Sequence, residues 1–201
     1  MFLDLAGPAV AQALKLDADQ VASETPRQNI APGQHIITWT YAGLSLMRWG
    51  IIPVGRVNAR GRPVMETLIN ARSETLFDKS AYEGVGRAVI PVSGWYEWTG
   101  EKRRKTAWRI RPKDHGLLYF AAITDVWDGP GGIKVPQVAA VTCAPNQDVA
   151  EIHHRMGVLL RLDEVPLWLE GSVEEVTPLM VPWPQGMLEI AKAKDVDWEG
   201  A

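Results

Sequence analysis

The spacing of hydrophobic positions changes along this chain, and each change marks a different kind of predicted element. Leu5, Val10 and Leu14 recur at helical spacing, which predicts an amphipathic helix that begins at once and spans residues 2–16. Polar and turn-forming residues follow up to position 34. Short alternating runs rich in β-branched and aromatic residues then predict seven strands. These strands cover residues 35–41, 44–49, 87–92, 95–98, 107–111, 117–126 and 135–143.

Turns and later helices complete the predicted outline. Residues 99–105 have the charged composition of an exposed hairpin tip, and residues 128–132 hold three glycines and a proline in another turn. Helices are predicted after Asn146 and over residues 163–170, before an acidic tail. Many strands with few helices predict an α+β fold. We expect one domain over residues 1–201, built around a curved, mainly antiparallel, barrel-like β-sheet with flanking helices.

Composition narrows the class of protein. With 201 residues, 46% of them hydrophobic, the chain is long enough to bury one sizeable core. Its one cysteine, Cys143, excludes an internal disulfide framework and a cysteine-based zinc site. No apolar run approaches the roughly 18 residues of a membrane span, and residues 1–5 lack the basic stretch of a signal peptide. We therefore expect a cytoplasmic protein.

Positive charge is concentrated in the middle of the chain. The net charge is −3, but residues 48–113 hold 14 Lys and Arg against 6 Asp and Glu, a local charge of +8. The remaining residues hold 7 against 18, a charge of −11. Such a basic segment predicts a local phosphate-binding face. A few solvated hairpin tips would explain it equally well.

The first candidate site is the stretch from Ile69 to Thr75. Asn70 and Arg72 are two residues apart on an extended segment, so their side chains are expected to project to the same side. The Asn70 amide can orient a reacting group, and the planar guanidinium of Arg72 can bind a phosphate. The competing interpretation is structural: Asn70 would bond to the backbone and Arg72 would pair with Glu74.

The second candidate is Glu97, which lies among aromatic residues in an otherwise apolar predicted strand. Burial against aromatic rings would raise the pKa of this carboxyl group toward a range that is useful for acid–base catalysis. Strict alternation would instead place Glu97 on a solvated face, opposite Tyr96 and Trp98. In that arrangement Trp95 and Glu97 share one face, which suits a base-stacking platform beside an acid.

Two adjacent histidines, His153 and His154, form the third candidate. Neighbouring side chains on a strand or helix point in different directions, and neither His35 nor His115 has a helpful spacing, so we expect no metal site. We favour one histidine as a proton donor or acceptor beside an acid. The fourth stretch, residues 47–53, indicates a core strand and a turn.

Taken together and in order, these stretches resemble the SRAP family (SOS response-associated peptidase, or abasic-site-processing proteins). Five blocks carry the resemblance across residues 29–160. They are NIAPG at 29–33, WGIIP at 49–53, INARSET at 69–75, RAVIP at 87–91 leading into GWYEW at 94–98, and TCA at 142–144 followed by IHHRM at 152–156.

The resemblance implies a protein of the DNA-damage (SOS) response that engages abasic sites in single-stranded DNA, with no metal and no organic cofactor. Asn70 resembles the amide that orients an N-terminal nucleophile, Glu97 the general acid and base, and His153 the group that assists opening of the sugar ring. The residues that resemble DNA ligands are Arg72, Arg155, Trp49, Thr142 and Pro32. Neither a membrane nor an obligate protein partner is implied.

The start of the chain departs from the family pattern. Family members carry a cysteine that becomes the first residue after removal of the initiator Met and is followed by Gly-Arg. Its amine and thiol close a thiazolidine ring on the aldehyde of the abasic sugar. Position 2 is Phe here, no Cys-Gly-Arg occurs, and Cys143 has no free amine of its own. We expect a natural start that lies upstream or, alternatively, genuine loss of the nucleophile.

Two rival functions stay open. One is a catalytically inactive protein that binds single-stranded DNA through Arg72, Arg155 and stacked aromatic rings. The other is a hydrolase in which Cys143 and His153 act as nucleophile and base, in line with the word peptidase in the family name. Gly157, where relatives usually have Pro, is a minor difference. The resemblance leaves open what the last 30 or so residues do.

Overall fold

Eleven strands and four short α-helices make up the described part of the chain. The computed structural model describes residues 1–52, 67–78, 84–101, 104–194 and 196–198. In chain order the strands are β1 (His35–Thr40), β2 (Gly43–Trp49), β3 (Asn70–Arg72), β4 (Gly86–Val92), β5 (Trp95–Thr99), β6 (Thr106–Pro112), β7 (Leu118–Asp128), β8 (Lys134–Cys143), β9 (Met156–Gly157), β10 (Leu159–Leu160) and β11 (Leu188–Lys192). The helices are α1 (Gly7–Leu14), α2 (Gln147–Ala150), α3 (Val165–Glu170) and α4 (Val173–Val176). None of these helices is long and apolar enough to cross a membrane, over the part of the chain that is described.

Five strands close into a ring at the centre of the fold. β1 pairs antiparallel with β2 and β4, β4 with β7, and β7 with β8. The parallel pairing of β2 with β8 closes the ring. β3 and β9 also pair with β8, and β10 pairs with β7. The predicted α+β class, with a curved, mainly antiparallel and barrel-like sheet, is confirmed.

A second, smaller sheet contains β5, β6 and β11, with β6 in the middle. Both pairings in it are antiparallel. It adjoins the ring because only Ser93 and Gly94 separate β4 from β5. β5 is thus an edge strand that follows directly on a strand of the ring.

The N-terminal segment is extended before it becomes helical. Phe2 bridges Gly94 and Leu3 bridges Arg27, and α1 begins only at Gly7. The prediction of a helix from residue 2 is wrong, because the first apolar side chains are buried through backbone pairing with distant segments instead of through helical packing. A short extended segment therefore precedes the helix.

Most predicted elements are present. All seven predicted strands occur, with bounds that shift by two residues at most, and Asn146 caps α2 by accepting from the amide of Val149. The predicted helix at 163–170 corresponds to a 3-10 turn, Leu162–Glu164, followed by α3. Of the other four strands, β3 corresponds to the extended segment expected at Asn70 and Arg72, and the sequence patterns did not predict β9, β10 and β11. Residue 53 of the fourth stretch and residues 102–103 of the hairpin tip lie outside the described residues.

Trp168 of α3 anchors that helix to the ring. Its side chain is fully buried, and its indole N–H donates to the carbonyl oxygens of Ala88 at 2.9 Å and Ala122 at 3.3 Å. These two alanines are paired partners on β4 and β7. The indole therefore combines apolar burial with polar contacts at one point of the barrel wall.

We expect Trp168→Ala to lower the free energy of unfolding by about 3–5 kcal/mol, because it leaves a cavity and removes the indole hydrogen bonds. Trp168→Phe should lower it by ~2 kcal/mol, since most of the ring volume is kept. Leu167 is 39% exposed on the same helix and supplies the control; its change to Ala should cost under about 1 kcal/mol. Urea unfolding followed by circular dichroism measures all three. Equal effects of the two alanine substitutions would contradict this packing.

Candidate functional site

One cavity of about 570 Å³ collects the residues that the sequence singled out. Residues of β3, β5 and β8, of the loop before β9 and of the start of the chain line it. The predicted site residues on its wall are Asn70, Glu97, His153, Arg72, Arg155, Trp49, Thr142 and Pro32. All eight therefore meet at one cavity, although they are spread over five separate sequence blocks.

β3 presents Asn70 and Arg72 on the same side. Both are exposed, whereas Ala71 between them is buried against the neighbouring strand β8. Within the described residues, neither side chain has a hydrogen-bond or ion-pair partner. The structural interpretation, in which Asn70 bonds to the backbone and Arg72 pairs with Glu74, is therefore wrong.

Glu74 pairs with Arg155 instead. The carboxylate accepts from Nη1 at 2.6 Å and from Nη2 at 2.9 Å, and Arg155 also donates to the carbonyl and hydroxyl oxygens of Thr142. The hydrogen bonds from Arg155 lower the pKa of Glu74 to about 2. The resemblance implies a phosphate ligand at Arg155, but most of this guanidinium is engaged in tying the turn after β3 to β8.

Glu97 and His153 form an acid–base pair on the cavity wall. Oε1 of Glu97 lies 3.7 Å from Nδ1 of His153, and their side chains are 20% and 33% exposed. Burial raises the pKa of Glu97. The charge of His153, the Trp95 indole and the amino terminus oppose this shift. The sequence predicted a raised pKa for Glu97 because aromatic residues flank it, and the structure gives the same direction.

The backbone around Arg155 holds His153 in place. Nδ1 of the histidine lies 2.9 Å from the Arg155 carbonyl oxygen and 3.2 Å from the Arg155 amide nitrogen. In the tautomer with a proton on Nδ1, that proton is donated to the carbonyl; in the other tautomer, Nδ1 accepts from the Arg155 amide. The ring of His154 packs against that of His153 with centroids 4.4 Å apart, and it also lines the cavity.

The first two residues are built into the cavity wall. Backbone hydrogen bonds join Phe2 to Ser93 and Gly94, and Met1 to Ile30. The Phe2 ring is fully buried, and a Cβ at position 94 would lie 2.5 Å from it. Only glycine permits this approach. Met1 is thereby held at the cavity.

For a chain that begins at Met1, the amino group is a neutral amine near pH 7. Burial lowers its pKa from 8.0 to about 5, the charge of Glu97 opposes this shift, and that of Arg27 adds to it. The amino group donates to the Ile30 carbonyl oxygen at 2.9 Å. A neutral amine beside a carboxyl group is the combination that imine formation requires.

Trp49, Thr142 and Pro32 contribute to the wall in different ways. Trp49 is 7% exposed, and its indole donates to the Ile69 carbonyl oxygen at 3.0 Å. The Thr142 hydroxyl donates to the Ala71 carbonyl oxygen at 3.3 Å. Pro32 is the exposed member of the three. Trp49 and Thr142 therefore hold the backbone of β3 and of the residue before it in place through these hydrogen bonds.

The exposed aromatic surface differs from the predicted one. Trp95 is 5% exposed and packs edge-on against Phe120 with centroids 5.5 Å apart. Its indole N–H, although close to Glu97, has no partner of full hydrogen-bond geometry within the described residues. A stacking platform on Trp95 is therefore wrong, and the exposed tryptophan of β5 is Trp98. Phe120 fits because Gly157 has no side chain: a Cβ there would lie 2.1 Å from the phenyl ring.

Cys143 is not part of the cavity wall. It is 3% exposed on β8, and burial raises the pKa of its thiol to about 11. Such a thiol is protonated at neutral pH and unreactive, which disfavours a hydrolase based on Cys143 and His153. Within the described ranges, no group of three or more His, Cys, Asp or Glu side chains could hold a metal ion.

Two members of the cavity wall gave no signal in the sequence. Trp198 reaches the cavity from an acidic and weakly patterned tail, and Met1 reaches it through backbone pairing. A single tryptophan in such a tail has the appearance of any surface residue. Only the folded chain brings these two residues to the other site residues.

Comparison with known proteins identifies the family of this chain. The sequence matches the family described as SOS response associated peptidase (SRAP) over residues 2–196. The chain belongs to the SRAP family. The resemblance seen in the five sequence blocks is thereby confirmed, and the match includes every predicted site residue.

SRAP relatives with curated names share part of their length with this chain. Abasic site processing protein YoqW of Bacillus subtilis (strain 168) is 33% identical over 72% of this chain and 66% of that protein, just under two thirds of its length. YoaM of the same organism, with the same descriptive name, is 30% identical over 82% of this chain and 76% of that protein. A solved structure from Bacteroides thetaiotaomicron superposes with a TM-score of 0.83 at 22% identity, over 96% of this chain and 90% of that one. It shows the same fold.

Glu74→Gln should lower the free energy of unfolding at pH 7 by about 1 kcal/mol, because it breaks a charge-assisted pair that solvent partly screens. Folding lowers the pKa of Glu74 from 4.5 to about 2. The pair therefore stabilises the protein above pH 4.5, and this contribution is lost as the pH falls toward 2. In urea unfolding, the difference between wild type and variant should shrink over that interval.

Glu151→Gln is the matched control for this substitution. Glu151 is exposed and does not line the cavity, so its change should alter the free energy of unfolding by less than about 0.5 kcal/mol. A difference between wild type and Glu74→Gln that stays constant from pH 7 down to pH 2 would contradict the ion pair.

Proposed function

We propose that this protein processes abasic sites in single-stranded DNA. The Glu97–His153 pair carries the proposal, because its atoms lie 3.7 Å apart on the wall that also holds Asn70, Arg72 and Met1. SRAP relatives bear the name abasic site processing protein, which supports the same substrate for this chain. An abasic sugar is an electrophile between two phosphates. The Glu97–His153 pair can transfer protons to it, the Met1 amine can attack it, and the Arg72 guanidinium can bind a phosphate.

The assigned roles follow from the chemistry of the abasic sugar. Its aldehyde is free only when the ring opens, which moves a proton from the C1′ hydroxyl to O4′; we assign this transfer to His153. A neutral amine then attacks C1′, and the resulting carbinolamine loses one water to give an imine. Glu97, whose pKa burial raises, supplies the proton that leaves with the water. The sequence of steps needs no oxidant or reductant.

The residue that supplies the amine decides the product. In the SRAP scheme a first-residue cysteine adds its thiol across the imine, which closes a thiazolidine and returns the nitrogen to an amine. The present sequence has Phe2 at that region and no cysteine near it. With the Met1 amine as the nucleophile, the reaction stops at a reversible imine. Asn70, exposed on β3, is assigned the task of orienting the nucleophile.

Arg72 is the residue that we assign to a phosphate beside the lesion. It is exposed at the cavity and has no ion-pair partner within the described residues. Arg155 is a weaker candidate, because its guanidinium is engaged with Glu74 and Thr142. Phosphate contacts of this kind release counterions and therefore weaken steeply as salt is added.

A second candidate function is that of a DNA-binding protein without covalent chemistry. The observation that favours it is the exposed guanidinium of Arg72 on the cavity wall, which can bind a phosphate without any covalent step. The same cavity would then hold the abasic sugar through Arg72 and the cavity's aromatic rings alone. The covalent product separates the two functions.

A denaturing gel tests the covalent step directly. The protein with Met1 as its first residue is mixed with a single strand that holds one abasic site. We expect a shifted band only after borohydride treatment, because reduction converts the reversible imine into a stable amine. A version with a mature Cys-Gly-Arg start ahead of Phe2 should give the band without reductant, since thiazolidine closure is stable.

Glu97→Gln tests the assigned acid in the same assay. It should slow the appearance of the band by about 100-fold or more, because general acid–base catalysis is lost. Glu151→Gln, outside the cavity, should leave the rate unchanged. A band at the wild-type rate in Glu97→Gln would remove Glu97 from the reaction. No band with either N-terminus would leave only the DNA-binding function.

Arg72→Ala should weaken the binding of abasic single-stranded DNA by about 10-fold at low salt, and reduce the slope of log K against log salt by about 1, because one phosphate contact is lost. Fluorescence anisotropy at several salt concentrations measures both quantities. Lys134→Ala is the control that removes the same charge away from the cavity, where Lys134 is 72% exposed and paired with Asp128. Equal affinities for wild type and Arg72→Ala would remove Arg72 from the site.

A further inference from the structure

A second depression lies on the small sheet, and most of the side chains around it are cationic. Its volume is about 230 Å³, and it is lined by Arg109 and Arg111 of β6 and by residues 189 and 191–194 of β11 and the segment after it. Four of these lining residues are Lys or Arg and one, Glu189, is acidic, which gives a local charge of +3. This depression is called the basic groove below.

The strand register explains why a groove forms there. Arg109 and Arg111 are two residues apart on β6, so they project from the same face of the sheet. Their partners on β11 are Ala191 and Glu189. Ala191, and Ala193 after it, carry only methyl groups and leave room beside the two guanidinium groups. Short side chains thus form a floor between longer cationic ones.

Ion pairs inside the molecule only partly occupy these cations. Arg111 contacts Glu189 through Nε at 3.2 Å, and its two terminal nitrogens have no hydrogen-bond partner within the described residues. Arg109 pairs with Asp4 through Nη2 at 3.1 Å. The side chains of Asp4 and Glu189 are 46% and 43% exposed, so solvent screens both pairs. An arriving anion can therefore compete for the guanidinium groups.

The size and charge of the basic groove indicate its ligand. At about 230 Å³ it is smaller than the roughly 300 Å³ at which small-molecule pockets begin, so it suits a single anionic group better than a whole nucleoside. Arginine binds phosphate through its planar fork of donors. Arg109 and Arg111 also belong to the basic segment 48–113, from which the described cavity wall takes only one cation, Arg72.

The basic groove lies close to the cavity. Arg109 is directly opposite Tyr96 on β5 and Ala191 on β11. Its guanidinium covers the Phe2 ring at 4.1 Å, and that ring packs against Tyr96, which lines the cavity. Neighbouring strands are about 4.8 Å apart, so β5 and β11 are separated by about 10 Å. Since a DNA strand advances about 3.4 Å or more per nucleotide, about three nucleotides span this distance.

We propose that the basic groove binds a backbone phosphate of the strand whose abasic sugar occupies the cavity, a few nucleotides away from the lesion. This inference rests on the proposed function, since it places a further part of the same DNA. The Arg111 fork is the main ligand, and Arg109 and Lys194 add positive charge beside it. The contact is blind to base sequence, because a phosphate carries no sequence information.

Two variants of the full chain with opposite changes of charge test the basic groove. Arg111→Gln combined with Lys194→Gln removes two cations, and Glu189→Gln removes the carboxylate that competes with a phosphate for Arg111. Fluorescence anisotropy measures binding to two single strands that contain a stable abasic analogue. One strand has a single nucleotide on each side of the analogue and cannot reach the groove, whereas the other has about ten on each side.

On the long strand, the double variant should weaken binding by about 10-fold at low salt. It should also reduce the slope of log K against log salt by about 0.7, because one neutralised phosphate is lost. Glu189→Gln should tighten binding by about 3-fold, since Arg111 is released from its partly screened pair. Neither change should alter the affinity for the short strand.

Matched controls remove the same charges elsewhere. Lys15→Gln combined with Lys134→Gln is the control for the double variant, and Glu151→Gln is the control for Glu189→Gln. All three control residues are exposed and line neither the cavity nor the basic groove. Both controls should match wild type on both strands.

Three results would overturn the phosphate site and leave the proposed function standing, provided that Arg72→Ala is still impaired. They are wild-type affinity of the double variant for the long strand, equal losses on the two strands, and weaker binding of the long strand by Glu189→Gln. The last would mean that the Arg111–Glu189 pair only supports the sheet. A wild-type protein that binds neither strand would overturn both proposals.

Discussion

The geometry of the site depends on the close contact between Phe2 and Gly94. The Phe2 backbone bonds to Ser93 and Gly94 in the turn between β4 and β5, and its buried ring fills the space that a side chain at position 94 would need. The guanidinium carbon of Arg109 lies 4.1 Å from the ring centroid, which adds a cation–π contact. Because Glu97 follows three residues after Gly94, one contact fixes the start of the chain and the acid relative to each other.

Strand β8 brings the remaining site residues to the same place. It pairs with β2, β3, β7 and β9, so it belongs to the ring and also carries both short strands that flank the cavity. The register aligns Arg72 with Thr142 and Met156 with Cys143. The segments that carry Asn70 and His153 therefore meet at one end of β8, and the Glu74–Arg155 pair closes the gap between them. Ring closure, a property of the whole chain, creates the site.

Local patterns predicted the strands, and together with the family resemblance they singled out the residues that line the cavity, but not the partners of these residues. Apolar and polar residues alternate with a period of two along a strand, because every second side chain faces the core. This alternation predicted all seven long strands. Partner choice is a long-range matter: Glu74 is two residues from Arg72 in sequence yet pairs with Arg155, which the fold brings closer. The predicted start of the first helix was wrong. An apolar residue such as Phe2 gives the same sequence pattern whether helical packing or a backbone bridge to another segment buries it. Trp198 had no pattern to predict it at all.

Burial acts on two groups of opposite charge in this cavity. It raises the pKa of Glu97 and, in a chain that begins at Met1, lowers that of the amine to about 5, so each is driven toward its neutral form. Their mutual attraction favours the charged pair instead. These effects oppose each other, and the His153 ring lies beside Glu97, with its Nδ1 3.7 Å from Oε1. Imine formation uses both states in turn, a neutral amine for attack and a protonated acid for loss of water. A fully solvated pair would stay ionised at pH 7, so the partial burial of Glu97 is the feature that would suit this cavity to the proposed imine formation.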